Sequence, residues 1–473
     1  METIGLGLDE TVETLKRRAQ MALGVGKGRL LDSRGGILDG CVPIRDARVQ
    51  NGDSLTLHIN GVQVQASAHA FAAILSDGSV VTWGDQLSGG DSSAVQVQLK
   101  DVQQIQASDG AFAAILGDGS VVTWGEADYG GDSRGVQHQL KNVQQIQNSG
   151  HSFAAILADG SVVTWGHAAN GGDSRAVQDQ LKNVQQIQAS TGAFAAILGD
   201  GSVVTWGVAE VGGDSSGVQD QLKHVQQIQA SAGGAFAAVT GNGSVVTWGE
   251  ARCGGDSSAV QDRLKNVQHI QASYCAFAAI LSDGSVVTWG NAASGGDSRA
   301  VEEHLTNVLR IQASVDAFAA IRGDGSVVTW GSVGSGGDSG AVQEQLKNVQ
   351  QVQAADDAFA AILADGSVAT WGNADLGGDS RAVQEELMHV EKIQASLCGA
   401  FAAIRCDGSV VSWGNADFGG DSHVVQEELV HVQHILASEG AFAAILDEGS
   451  VVTWGQADSD GNGTVVRGEL GSP

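Results

Sequence analysis

Ten tryptophans, Trp83, Trp124, Trp165, Trp206, Trp248, Trp289, Trp330, Trp371, Trp413 and Trp454, lie 41 or 42 residues apart, and the 473-residue chain has no other. Each sits in a copy of the octapeptide DGSVVTWG. The copy at Asp77 returns unchanged at Asp118, Asp159, Asp200, Asp283 and Asp324, and with one change at Asn242, Asp365, Asp407 and Glu448. A fixed period in the forties marks an array whose units bury their apolar faces only against one another. One such unit is too small to stand alone.

Residues 102–143 show what a unit builds. VQQIQAS alternates apolar and polar side chains, the period of a strand with one buried face. AFAAIL is a short apolar run fit for a strand buried on both faces, and its alanines let neighbouring sheets approach closely. GDGS predicts a two-residue Asp-Gly hairpin turn. SVVTWG, rich in β-branched residues, is a third strand ending on the core tryptophan. GGDSRGVQHQL then predicts a turn, an Asp or Ser cap and one or two helical turns carrying Val136 and Leu140. Each unit is therefore a three-strand meander with a crossing connector, and the chain should be mainly β: a propeller of ten short blades, closed into a ring or open as a spiral.

The string AFAAIL.DGSVVTWG…GG followed by V..IQAS resembles the regulator of chromosome condensation repeat. Its compact spacing is most similar to that of the bacterial beta-lactamase inhibitor protein II. The likeness covers residues 62–455 and implies a propeller; members of that family have seven blades where this chain has ten, against the usual four to eight. It also implies two activities to weigh, guanine nucleotide exchange on a small GTPase and protein inhibition of an enzyme. Exchange requires a wedge inserted between blades, and these repeats differ in length by at most one residue.

Set against one another, the ten copies vary at two places. The first precedes AFAA and includes His69, Asp109, His151, Tyr274, Asp316, Asp356, Asp357 and Leu397; copies five and nine carry one extra residue there. The second follows TWG and includes Tyr129, Val211, Leu376 and Phe418. In a meander the loop after strand one and the exit of strand three share a rim, so both places fall on one edge while the constant DGS turn lies on the other. Tyr129, Val211, Tyr274, Leu376 and Phe418 put there the side-chain types that anchor protein interfaces.

Residues 1–60 differ in character. Val12, Leu15, Ala19 and Leu23 recur at helical spacing, GRLLDSRGGILDG reads as paired short apolar pieces, and NGDSLTLHI as an alternating strand. That order resembles ubiquitin and its relatives, with the first strand missing or shortened. It implies a small α+β (β-grasp) domain over 1–60 before the repeats of 61–473. Of the recognition patch of that family, Leu31 keeps an apolar side chain while Asn60 stands where another is expected.

The net charge is −29, and residues 1–60 contribute eight bases and eight acids, so the excess belongs to the repeats. Such a surface repels nucleic acid and suits basic protein partners. The expected cofactor set is empty. The twelve histidines lack a repeated Ser, Cys or Glu partner, and Gly24, Gly26 and Gly28 lack the Walker spacing, so no catalytic constellation is read. The chain ends at Pro473, where large repeat-bearing ubiquitin ligases continue into a catalytic domain. Asp458, Asp460, Asn462 and Glu469 fit a calcium loop, but align residue for residue with the ordinary connector at Asp417. Five cysteines at unrelated repeat positions, without CxxC, argue against a disulfide or zinc framework and for a reducing compartment, cytoplasm or nucleus. No membrane span or secretory leader is read. The expectation is a monomeric, non-enzymatic protein-binding scaffold or adaptor, with substrate recognition in a ubiquitin pathway as one form of it.

Overall fold

The computed structural model describes residues 62–75, 77–447 and 449–457, then Gly461 and Val465–Val466; before them it describes Val12, Leu15, Arg18, Ala19, Arg29–Leu31, Ile44, Arg45, Ala47 and residues 55–58. Ten antiparallel sheets follow one another along the chain, each in inner, middle and outer strand order. In blade two the strands are Val102–Ala107, Ala111–Leu116 and Val121–Gly125. The ten meanders are those read from the repeat.

Blades pack face to face. Ala70, Ala72 and Ile74 of blade one bury against Ile105, Phe112, Ala114 and Trp124 of blade two, with Leu99 and Val102 closing the bottom of the same layer. Small residues on one face against large ones on the other let sheets interdigitate at close range. Phe112 pairs with Trp124 across strands, and their rings stack at 5.3 Å. Each tryptophan from the second blade on also reaches back. Trp165 Nε1 donates to the Gly130 carbonyl, 3.0 Å away in the preceding connector. Gly130 has φ 95°, and a Cβ there would meet the Phe153 ring at 2.6 Å, so only glycine fits.

The ring is closed. Inner strand Gln63–Ala66 contacts inner strand Val432–Ala437. Phe71 and Trp83 of blade one share a buried layer with Ala441, Ala443, Ile445 and Val451 of blade ten. Glu439 N donates to the Ala68 carbonyl across the same seam.

Two local expectations are corrected. The connectors are turns and short 3-10 segments rather than one or two regular helical turns: Leu140 N donates to Gln137 O and Gln139 N to Val136 O, three residues back, and isolated four-back bonds such as Leu181 N to Val177 O occur in other copies. Gln137 spends its side chain elsewhere, donating from Nε2 to the Val121 carbonyl on the outer strand while accepting from Ser133 Oγ. The connector thus caps a sheet edge that would otherwise be open. The DGS hairpin loop has three residues, because Leu116 N donates to Ser120 O and Gly119, at φ 76°, donates to Leu116 O. That is a type I turn closed by a left-handed residue. Val465 and Val466 pair antiparallel with Val452 and Val451 as a fourth strand on blade ten. The tenth repeat has Arg467 where eight of the other nine have the edge-capping glutamine and the sixth has Glu302; in the tenth a strand covers the edge.

In residues 1–60, Val12, Leu15, Arg18 and Ala19 are helical, with Val12, Leu15 and Ala19 buried. Arg29–Leu31 pairs antiparallel with Thr56–His58. Leu23, Asn60 and the calcium candidates Asp458, Asp460, Asn462 and Glu469 lie outside the described residues.

Candidate functional site: the variable rim

Constant residues build the frame that carries the variable ones. The serine ending each QAS is buried, and its hydroxyl crosses to the exit of the same blade: Ser108 Oγ donates to the Tyr129 carbonyl at 2.8 Å, Ser273 Oγ to that of Ser294 at 2.8 Å, and Ser314 Oγ to that of Ser335 at 2.8 Å. A serine kept in nine of the ten copies, with Ala355 in the eighth, therefore ties the two variable places together. Sequence reasoning missed it, although its constancy next to a variable pair was the available signal.

The loop tips also bond to one another around the mouth of the central channel. Among the described residues, backbone N–H groups donate to the next blade's carbonyl from Ala68 to Asp109, Asp109 to Gly150, Gly233 to Tyr274, Tyr274 to Val315, Val315 to Asp356, Cys398 to Glu439 and Glu439 to Ala68. This amide wheel fixes the backbone and leaves the side chains free to differ.

The second variable place reaches across to the next blade's loop. Tyr129 stacks on His151 at 4.6 Å, and a Cβ on Gly110 would lie 3.0 Å from its ring. Val211 lies under Gly192 and Gly234, Leu376 under Gly399, and Phe418 under Gly440. Ser335 Oγ donates to Asp357 at 2.6 Å. Tyr129, Val211, Leu376 and Phe418 are accordingly half-buried; a bulky exit residue is matched by a glycine in the loop above it. Tyr274 and Leu397 are open apolar groups of the loop tips, 50% and 57% exposed. His69 is exposed, and His151 is partly covered with Nδ1 buried and unpartnered.

Carboxylates occupy the rest of the mouth. Asp109, Asp316, Asp356, Asp357 and Glu439 have no salt-bridge partner among the described residues. Burial at the mouth, then the neighbouring charges of Asp357 and Glu439, push the Asp356 carboxyl up to about 6. Asp109 still touches water, yet protein surrounds it; burial raises its carboxyl, with His151 opposing and Glu439 adding to the rise. Asp109 and Glu439 feel each other across the closing seam. Among the described residues no group of three or more His, Cys, Asp or Glu is placed to hold a metal ion.

The cysteine expectation is corrected on the same rim. Cys253 and Cys275 are joined in a disulfide. Their repeat positions are unrelated in sequence, but the exit of one blade and the loop of the next meet here, so the two thiols are neighbours in space. Cys398 and Cys406 are free, and Cys41 lies outside the described residues.

No family model matches the chain, and no curated protein matches it. Among solved structures it is similar to the computationally designed Ika8 protein, at 15% identity over 67% of this chain and 97% of that one, TM-score 0.32. It is also similar to Prp20p from Saccharomyces cerevisiae, at 14% identity over 60% of this chain and 74% of that one, TM-score 0.32. For the ectodomain of the receptor kinase ACR4 from Arabidopsis thaliana the values are 17%, 57%, 95% and 0.31. The fold described above rests on this chain's own sheet order and packing. No described helix is long and apolar enough to cross a membrane.

Proposed function

We propose that the chain is a non-enzymatic scaffold or adaptor whose variable rim binds a protein partner of basic charge. The observation that carries this reading is the mouth itself: a wheel of backbone amides, braced by buried serines in every blade but the eighth, presents Asp109, Asp316, Asp356, Asp357 and Glu439, and Tyr274 and Leu397 are exposed on the same rim. Carboxylates held close enough for burial and mutual repulsion to raise Asp356 to about 6 gain from an incoming ammonium or guanidinium. The open aromatic and aliphatic groups supply apolar contact area. Residues 1–60 are read as a ubiquitin-like domain, supported by the buried helical turn and the antiparallel pair Arg29–Leu31 with Thr56–His58. A ubiquitin-pathway role for the scaffold rests on that resemblance.

The test is affinity capture by the full chain, with captured proteins identified and then titrated directly. Asp356→Asn with Glu439→Gln, and separately Tyr274→Ala with Leu397→Ala, should each remove the partner, and binding should weaken with salt. An unchanged partner set in both variants would remove the rim from consideration. Accelerated nucleotide release from a small GTPase would replace the scaffold reading with an exchange factor.

A further inference from the structure

We propose that Cys253 and Cys275 form a reversible thiol–disulfide exchange site on the rim, closed by a low-molecular-weight disulfide of the glutathione class and opened by the corresponding thiol. At the boundary between blades five and six both facing variable places are cysteine. The loop above them, Ala232-Gly233-Gly234, is one residue longer than its ordinary counterparts. A Cβ on Gly233 would lie 2.5 Å from each sulfur, so a longer loop and a missing side chain make room for this one bond.

Exposure sets the order of events. Cys253 is 6% exposed and buried in the layer between the two blades, whereas Cys275 is half-buried and open to reagent. In closing, the Cys275 thiolate attacks the small disulfide and displaces one small thiolate, leaving a mixed disulfide on Cys275. The Cys253 thiolate then attacks the Cys275 sulfur and displaces the second small thiolate. The two displaced thiolates take up the two protons that the protein thiols lose. Net, one protein dithiol and one small disulfide become one protein disulfide and two small thiols. Opening is the reverse, with the small thiolate attacking at Cys275. Cys398, in the rim's other lengthened loop, serves as an internal control: burial and the charges of Glu439 and Asp356 raise its thiol, holding it in the unreactive protonated form.

The bond ties the exit of blade five to the residue after Tyr274, and the Tyr274 carbonyl already accepts from Gly233 N of the blade-five loop at 2.7 Å. Closing therefore holds one of the open apolar groups of the loop tips in place. That Tyr274 belongs to a recognition surface rests on the binding reading above; the exchange chemistry does not.

The full chain is equilibrated with oxidised or reduced glutathione, alkylated and digested with trypsin without reduction. After the oxidised form, peptide Cys253–Arg263 should be linked to Asn266–Arg299, with Cys398 alkylated; after the reduced form both peptides should be separate, and re-oxidation should restore the link. Cys253→Ser should trap glutathione on Cys275. Gly233→Ala, with a melting curve to confirm folding, should need at least a tenfold more oxidising glutathione ratio to form the link. Separate alkylated peptides after oxidation of the wild type would overturn the site. Linkage in Gly233→Ala at the wild-type ratio would overturn the role given to the loop, and a free Cys275 in Cys253→Ser the order of attack.

Discussion

Nine boundaries between successive blades and the one that closes the ring join the same kinds of sheet, yet they are not equally made. At an internal boundary the tryptophan donates to a preceding glycine carbonyl, as Trp206 Nε1 does to Gly171 O at 3.0 Å, and a connector leucine such as Leu181 is buried in the layer. At the closing boundary Trp83 is 6% exposed, but its Nε1 finds no acceptor among the described residues. The tenth repeat carries Asp460 where the glycine belongs. The closing layer, among the described residues, contains no leucine from a connector. Repeats keep a boundary strong only where both partners keep the pattern, and a ring has one boundary whose two sides come from opposite ends of the array.

The largest expected effect contrasts the two kinds of boundary directly. Trp206→Ala should lower stability by ~3–5 kcal/mol through the lost ring and its cavity. Trp83→Ala should cost about 1 kcal/mol less, since no hydrogen bond is lost with it. Denaturant midpoints and slopes measured together would check this, and equal losses would break the comparison. Next is the stapled boundary, where the disulfide closes a loop with a sequence separation of 22. Removing it with Cys253→Ser should cost ~2–4 kcal/mol on loop-closure grounds, and blades five and six should then melt no better than their neighbours.

A smaller effect comes from charge around the closing seam. The Asp356 carboxyl is raised from 3.8 to about 6 by burial, then by Asp357 and Glu439. Between about pH 4 and 6 the folded chain therefore binds more protons than the unfolded chain, and stability falls as pH rises through that window. Because the site is partly open to water, the contribution is about 1 kcal/mol or less. Asp356→Asn should raise the melting temperature at pH 7.5 and leave it unchanged at pH 4; the opposite pattern would contradict the assigned burial. Smallest is Arg175→Ala, which removes an exposed pair with Asp173 at 2.5 Å on an internal connector and should leave the denaturant midpoint unchanged, because water screens a pair this open.

What the repeat made legible was everything set by periodicity: ten blades, three strands in each, and two variable places on one rim. Those follow from alternation in VQQIQAS and from up-down chain direction, which survive without knowledge of partners. The half-burial of Tyr129, Val211, Leu376 and Phe418 was not legible, since it depends on a glycine in a neighbouring loop rather than on the residue itself. The Cys253–Cys275 bond was hidden for the same reason. The connectors misled because Val136 and Leu140 have helical spacing, whereas Gln137 is drawn to the outer strand. Nor did the sequence pattern announce the left-handed residues, such as Asn142 at φ 54°, that precede the inner strands of blades two to ten; their Asn, Asp and His types were the clue.

Hydrogen-exchange mass spectrometry under native conditions tests the closed ring with one weaker boundary most directly. Middle-strand peptides spanning 70–74 and 441–446 should be protected far above an unfolded chain, yet open at lower free energy than those spanning 193–198 and 235–240. Protection in the first pair no greater than that of unpaired backbone would mean an open spiral, and protection equal to that of the second pair would mean a ring without a weak seam; either result contradicts the account.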